Sequence, residues 1–472
     1  VTRIPREVRI LLAGGTAFVL VVAGWVVYWK FGPSFTAVFP VDLTVYRDGG
    51  LIVRGVPPYY DPHAASPLYD WGGYSDLALK FTYTPFAAVA FALASFLSQN
   101  ALIAVSVVAN IAALVAALWF TAGGLAYIDV RLRDDWRVRG GVTLLCAAAV
   151  LWTQPVLRTI NLGQVNLVLM ALILWDLCQP RVTRGGRPRW WTGFATGVAA
   201  GIKLVPLVFV PYLLMTRRFR EALVTVGGFL FTIAVGFAVL PSDSVAWWVH
   251  GVFAKGSRAG FLAWAGNQSL RGVISRLSGS IAAGTVPWAV AAVIVVVLGI
   301  VAAAALSRAG HEMPALLMTA LTGLLASPIS WDHHWVWIAP GFMTAAVYGW
   351  KQQGTARRWL IGLAAGLLVV FGGWPDALWE SARNLGRFSL GLLWAPPNTD
   401  PILYVEHGDQ PSFVEYHWHG LWLLTGNAYV LAGLAMFLML LGLSATLWRR
   451  SRTADNEAGS QSLSADAPAA QC

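Results

Sequence analysis

Residues 190–215 read WWTGFATGVAAGIKLVPLVFVPYLLM, and the placement of this stretch in a membrane decides the fold. Lys203 is its only charge. Basic segments flank it on both sides, RVTRGGRPR at 181–189 and RRFR at 217–220. About 20 apolar residues cross the hydrocarbon core as a helix. A single crossing would set the two basic segments on opposite faces. Lys and Arg in short connectors are retained on the cytoplasmic face, which disfavours that placement. Pro206 also interrupts a continuous helix. The stretch is therefore expected to enter and return as two half-helices with Lys203 at the tip. Broken helices at membrane depth line a cavity or pack inside protein, so this hairpin points to a site.

The surrounding chain agrees with a membrane setting. Of 472 residues, 57% are hydrophobic and 12% charged, against about 25% charged in a soluble domain. Apolar runs recur near 8–31, 84–98, 100–126, 140–153, 165–180, 190–215, 222–241, 285–307, 314–329, 335–350, 358–374 and 421–448. Cytosolic, fibrous and nucleic-acid-binding readings drop out. The first run carries no clear small-residue cleavage site after it and reads as a retained helix. Three cysteines form no disulfide framework. The net charge of +10 follows from topology, because most basic residues sit in connectors expected to face inward. These are Arg3, Arg6 and Arg9, Arg131 to Arg139, Arg181 to Arg189, 217–220, Lys351 to Arg358, and 448–452. The same parity requires 84–98 to dip in and return.

The expectation is an all-α, polytopic membrane protein with about 11–13 transmembrane or re-entrant helices. Residues 1–448 form one domain, with external loops at 32–83, 154–164, 242–284, 330–334 and 375–420. Residues 449–472 form a polar, disordered cytoplasmic tail. Both termini face the cytoplasm of a plasma-membrane protein.

Polar clusters then gather on the outer side. VDLTVYRDGG at 41–50 follows the first helix and offers Asp42, Tyr46, Arg47 and Asp48. An interfacial carboxylate can accept a proton from a hydroxyl nucleophile; an N-cap aspartate is the plainer alternative. KFTYTPF at 80–86 brings Tyr83, and RGVPPYYDP at 54–62 further tyrosines, suited to sugar rings or an interfacial belt. Arg158 precedes NLGQVN at 161–166, where Asn161, Gln164 and Asn166 suit a polyhydroxylated ligand or helix–helix hydrogen bonds. Lys203 suits a lipid-linked phosphate; snorkelling is its plainer alternative. GNQSLRGVISRL at 266–277 adds Asn267, Gln268 and Arg271, whose fork grips phosphate. SPISWDHHWVW at 327–337 supplies Asp332, His333 and His334. No third strong ligand stands at a metal-binding spacing, so proton or phosphate chemistry fits them better.

VDLTVYRDGG, TYTPF, NLGQVNL, AAGIKLVPLVFVPYLL, NQSLRG and SPISWDHHWVW occur here in one order. Together they resemble glycosyltransferase family 87, integral-membrane enzymes of the GT-C superfamily, from about residue 10 to 345. Within it the chain looks most like actinobacterial mannosyltransferases of the PimE type. The resemblance implies a GT-C fold, a polyprenyl-phosphate-mannose donor, a glycolipid acceptor such as a phosphatidylinositol mannoside, and an α-1,2 product made outside the cytoplasm. It places the catalytic carboxylate at Asp42. The family's histidine pair after Ser-x-Trp corresponds to His333 and His334, preceded here by Asp332.

A lipid phosphate leaves without an acid, so the site needs one base and cations. Asp42 is expected to be the base, with Lys203, His333, His334 and Arg271 on the donor phosphate. Arg47, Asp48, Tyr83, Asn161, Gln164, Asn166, Asn267, Gln268 and Asp332 are expected to contact substrate. No cofactor or metal is expected. The alternatives are an arabinofuranosyltransferase using the arabinose donor and, in another class, a lipid or sugar flippase, which would need paired broken helices in both halves.

Overall fold

A computed structural model describes residues 4–31, 40–57, 61, 63–70, 79–178, 189–254, 260–373, 391–396 and 414–465. The tyrosines at 59 and 60, most of the basic connector 181–189, and most of the loop 375–420 lie outside the described residues. The protein is all-α; among the described residues, the β pairings are isolated bridges, Thr153 with Gly372 and Asn267 with Trp331.

In chain order the helices used below are α1 (Arg6–Phe31), α2 (Val41–Val53), α3 (Pro85–Phe91), α4 (Gln99–Gly124), α5 (Trp136–Leu151), α6 (Gln154–Leu162) and α7 (Asn166–Leu177). They continue with α8 (Phe194–Ile202), α9 (Phe209–Met215), α10 (Phe219–Val239), α11 (Leu270–Leu277) and α12 (Thr285–Arg308). The last are α13 (Glu312–Ala326), α14 (Ile338–Lys351), α15 (Gly354–Val370) and α16 (Ala428–Ala465). Among the described residues, five segments are long and apolar enough to cross a bilayer: Arg6–Val27, Gln99–Gly124, Phe219–Val239, Thr285–Arg308 and Ala428–Arg450. Their outward sides carry exposed Val19, Leu20, Val108, Leu223 and Val286, which acyl chains would cover. The polar tail continues α16 as helix to Ala465, and 466–472 lie outside the described residues.

The hairpin forms as the flanking charges require. Gly193, Gly197 and Gly201 leave no room for a Cβ against Glu221, Thr225 and Thr232 in turn, so α8 and α10 run parallel in close contact. The chain between two parallel neighbours must double back, and it does so after Lys203. Val205–Val208 is a tight helical turn, and α9 brings the chain back to the end where it entered. There Arg220 Nη2 donates to the Arg189 carbonyl at 2.9 Å, so the two basic flanks meet. Residues 84–98 likewise do not cross. The 7-residue α3 starts beside the hairpin tip, where Thr84 Oγ1 donates to the Gly201 carbonyl. After a short turn, α4 starts on the same side, with Gln99 Nε2 donating to Thr44 Oγ1 at 3.1 Å.

The stretch 154–164, expected as an external loop, is instead the buried helix α6. Gly163, with φ +69°, ends it in the left-handed conformation that glycine accepts without strain. The chain then turns by 114° into α7. A Cβ at Gly163 would strike Leu43, so this corner packs against the start of α2. The apolar pattern could not show this helix, because it is short and its most extensive packing is against residues 332–337, distant in sequence.

Charges of the basic connectors gather at the bundle end opposite the hairpin tip. Asp129 pairs with Arg131 at 2.8 Å and Lys351 at 3.0 Å. Arg218, just after α9, pairs with Glu221 and Glu312 at 2.6 Å each. Tyr212 donates to Glu312 at 2.9 Å, which ties the returning arm of the hairpin to the start of α13.

Candidate active site

Four segments meet around the hairpin tip: the start of α2, the corner between α6 and α7, Lys203, and the connector 330–337. The connector is fixed from outside. Ser330 accepts at its carbonyl from Gln268 N (2.8 Å), and Asp332 N donates to the Gly266 carbonyl (2.9 Å). Asn267 holds the same loop from its side chain: Oδ1 accepts from Ser330 N at 3.0 Å, and Nδ2 donates to the Leu262 and Pro328 carbonyls. Gln268 Nε2 donates to the carbonyls of Ala265 and Gly426 at 2.7 and 2.8 Å. Both amides, expected to contact substrate, are fully buried and engaged with backbone; they build the site's wall.

Lys203 is held by two partners. Its ammonium donates to Asn166 Oδ1 at 2.8 Å and to His334 Nε2 at 3.0 Å. An ammonium has three hydrogens. No carboxylate pairs with it among the described residues, so one N–H remains for a ligand. The Tyr83 ring lies 5.6 Å away. Asn166 Nδ2 in turn donates to the His333 carbonyl at 2.9 Å, and Thr159 Oγ1 to the same oxygen at 3.1 Å. Gln164 Oε1 accepts from Tyr46 at 2.7 Å, and the Tyr83 hydroxyl, 2.7 Å from that of Tyr46 and 3.2 Å from Gln164 Oε1, shares its one hydrogen between them. Gln164 and Tyr83 thus brace the corner against α2.

Asp42 stands half-buried in the first turn of α2. Its charge acts on Tyr46, Tyr83, Lys203 and His333, which places all four around it. Asp332 differs. It is 1% exposed, and its carboxylate is ringed by Gln154 Nε2 at 2.9 Å, Arg158 Nε at 3.2 Å and His333 Nδ1 at 3.2 Å. Burial opposes its charge, yet Arg158 and His333 hold Asp332 below the usual carboxylate range. Burial pushes His333 below the ordinary imidazole value, with Asp332 working against it. Burial, then the Lys203 and His333 charges, push His334 well down.

Beside Lys203 and His334 a narrow cleft of about 60 Å³ runs between α7, the hairpin and α13. Its walls are mostly apolar, including Leu169, Ile173, Pro206, Phe209 and Leu324.

Several expected residues stand apart. Arg271 lies on α11 with its guanidinium 4.6 Å over the Trp288 ring, in no contact with Lys203 or the histidines. Arg47 turns to the Leu97 carbonyl, 3.4 Å from its Nε. Asp48 is buried, and desolvation raises its pKa to about 6, partly offset by Arg47. Asn161 is half-buried with Oδ1 unbonded among the described residues. Sequence reasoning missed Gln154, Thr159 and Asn427, whose Oδ1 accepts from Arg276 at 2.6 Å behind the wall. Gln154 and Arg158 stand four apart on one helix face, the one available signal. Among the described residues no three His, Cys, Asp or Glu are grouped to hold a metal ion.

A helical membrane bundle with a re-entrant lysine beside a histidine pair and an interfacial carboxylate fits a lipid-phosphate sugar transferase. The profile of glycosyltransferase family 87 matches residues 81–328, and the chain belongs to that family. The chain is 30% identical over 374 residues, 76% of its length and 80% of the relative's, to the polyprenol-phosphate-mannose-dependent alpha-(1-2)-phosphatidylinositol mannoside mannosyltransferase of Mycobacterium tuberculosis. Similarity to the Mycolicibacterium smegmatis protein of the same description is 33% over 350 residues, 70% of this chain and 74% of that one. A second M. tuberculosis relative, described as the corresponding pentamannoside mannosyltransferase, is 32% identical over 338 residues, 68% of this chain and 71% of its own. No solved structure matches the chain.

Proposed function

We propose that this protein transfers mannose from polyprenyl-phosphate mannose to a phosphatidylinositol mannoside or related lipoglycan, forming an α-1,2 linkage on the extracytoplasmic side. One observation carries this reading: the Lys203 ammonium, with one N–H left over, lining an apolar cleft and within reach of the Asp42 charge. Such a pair of features fits a ligand with an anionic head and a long apolar chain. The relatives' descriptions supply the sugar and the acceptor.

The chemistry follows. Transfer from a β-linked sugar phosphate to an α-linked product inverts the anomeric carbon in one displacement. The acceptor oxygen bonds to that carbon as the carbon–oxygen bond to phosphate breaks. Asp42 takes the hydroxyl proton. Lys203, with the adjacent His334, steadies the charge that grows on the departing lipid phosphate. That phosphate needs no protonation to leave, so the reading invokes no second carboxylic acid, metal or cofactor. The isoprenoid chain lies in the cleft. The basic connectors at the opposite end of the bundle support an extracytoplasmic site and cytoplasmic termini.

The test is purified protein in vesicles with labelled mannose and arabinose donors and a phosphatidylinositol mannoside acceptor. The expected product carries mannose that an α-1,2-specific mannosidase releases. Arabinose transfer, or donor movement between leaflets with no product, would replace this reading with the arabinosyltransferase or flippase.

A further inference from the structure

Asp332 and His333 are adjacent in sequence but face different surroundings. The Asp332 carboxylate is sealed inside protein by Gln154, Arg158 and His333 and cannot reach a ligand. An ionised carboxylate only accepts hydrogen bonds, so the His333 nitrogen 3.2 Å from it, Nδ1, carries the hydrogen. The His333 backbone is fixed as well, by Thr159 and Asn166 at its carbonyl. What remains is Nε2, which is buried and has no hydrogen-bond partner among the described residues. Such an atom is costly unless something bonds it when the site is filled. The His333 ring centre lies 4.8 Å from that of His334, whose Nε2 is bonded to Lys203, so the ring with this free nitrogen stands beside the lysine.

We propose that Asp332, backed by Arg158 and Gln154, is a positioning residue that locks His333 as the Nδ1–H tautomer, presenting Nε2 to accept a hydrogen bond from a substrate sugar hydroxyl. This divides the histidine pair. A phosphate oxygen is itself an acceptor and cannot pair with an unprotonated Nε2. Lys203 occupies Nε2 of His334, so the hydrogen of His334 is on Nδ1 and remains a donor. The donor's anion therefore falls to Lys203 and His334, and the hydroxyl-bearing part of a substrate to His333. The division rests on the site reading above, but not on which sugar is transferred.

The test is ¹⁵N-histidine magnetic resonance of the full chain in lipid nanodiscs, with the His333 signals assigned by comparison with His333→Gln. The expected spectrum shows His333 protonated at Nδ1 and bare at Nε2; an Nε2–H tautomer would overturn the proposal. Asp332→Asn should shift that tautomer balance. It should also lower kcat by about 10- to 100-fold, the cost of a buried polar contact left unmade, with donor KM changed less than about twofold. Unchanged tautomer and kcat in Asp332→Asn would also overturn it. If Asp332→Asn does not fold, the wild-type spectrum decides alone. Failure of mannose transfer would leave the tautomer result standing.

Discussion

The two ends of the re-entrant hairpin carry charge in opposite ways. At its base, Arg218 is sandwiched between Glu221 and Glu312, with Tyr212 and Ser307 completing the carboxylate of Glu312. At its tip, Lys203 is hydrogen-bonded, among the described residues, only to an amide and an imidazole, with the Asp42 charge acting on it without a direct pair. A charge paired and hydrogen-bonded on all sides contributes to folding. A charge held in place but left short of a counter-ion awaits one. The same contrast separates two aspartates: Asp332 is enclosed by protein partners, whereas Asp42 sits half-buried with the site's cations and phenols around it.

Changes at the tip should therefore act on turnover, and changes at the base on stability. Asp42→Asn should lower transfer by about 10²–10⁴-fold, the range for loss of a general base, while the protein elutes normally in size exclusion. Activity within a few-fold of wild type would remove Asp42 from the mechanism. Glu312→Gln should break the buried base network, costing about 3–5 kcal/mol, and lower the thermal midpoint in detergent. An unchanged midpoint would mean that the base pairs are incidental.

Asp48→Asn tests a buried carboxylate on α2 that the site does not use. Burial raises its folded pKa from the ordinary 3.8 to about 6. The folded protein then holds the proton more tightly than the unfolded chain, so this group's contribution weakens as pH rises from about 4 to 6. The variant should be more stable than wild type at pH 7.5 and nearly equal at pH 4; a pH-independent difference would contradict this. Arg131→Ala removes a partly exposed pair with Asp129, which Lys351 still partners, and should cost no more than about 1 kcal/mol. A larger loss would blur the distinction between the ends.

The sequence made the hairpin legible because charge brackets it: two arginine clusters, one central lysine and one proline allow few placements. Asp42, Lys203 and the histidine pair stood out as polar groups at membrane boundaries. What did not stand out was which of them the protein itself satisfies. Asp332 meets Gln154 across 178 positions, and Lys203 meets His334 across 131. Hydropathy carries no trace of such pairings. Asn267, Gln268 and Asp332 therefore looked like ligand contacts until their partners were seen. Arg271 looked equivalent to Lys203, but its guanidinium lies over the Trp288 ring and shows no contact with the histidines among the described residues.

The central claim is that Lys203 is left short of a counter-ion in order to receive the donor's phosphate. The most direct measurement is the affinity of folded wild-type and Lys203→Met protein for polyprenyl phosphate, with Arg131→Ala as a control from the opposite end. A loss of at least about tenfold in Lys203→Met, with the control unchanged, is the predicted result, in line with removal of a charge-assisted hydrogen bond. Equal affinity in all three proteins would contradict it.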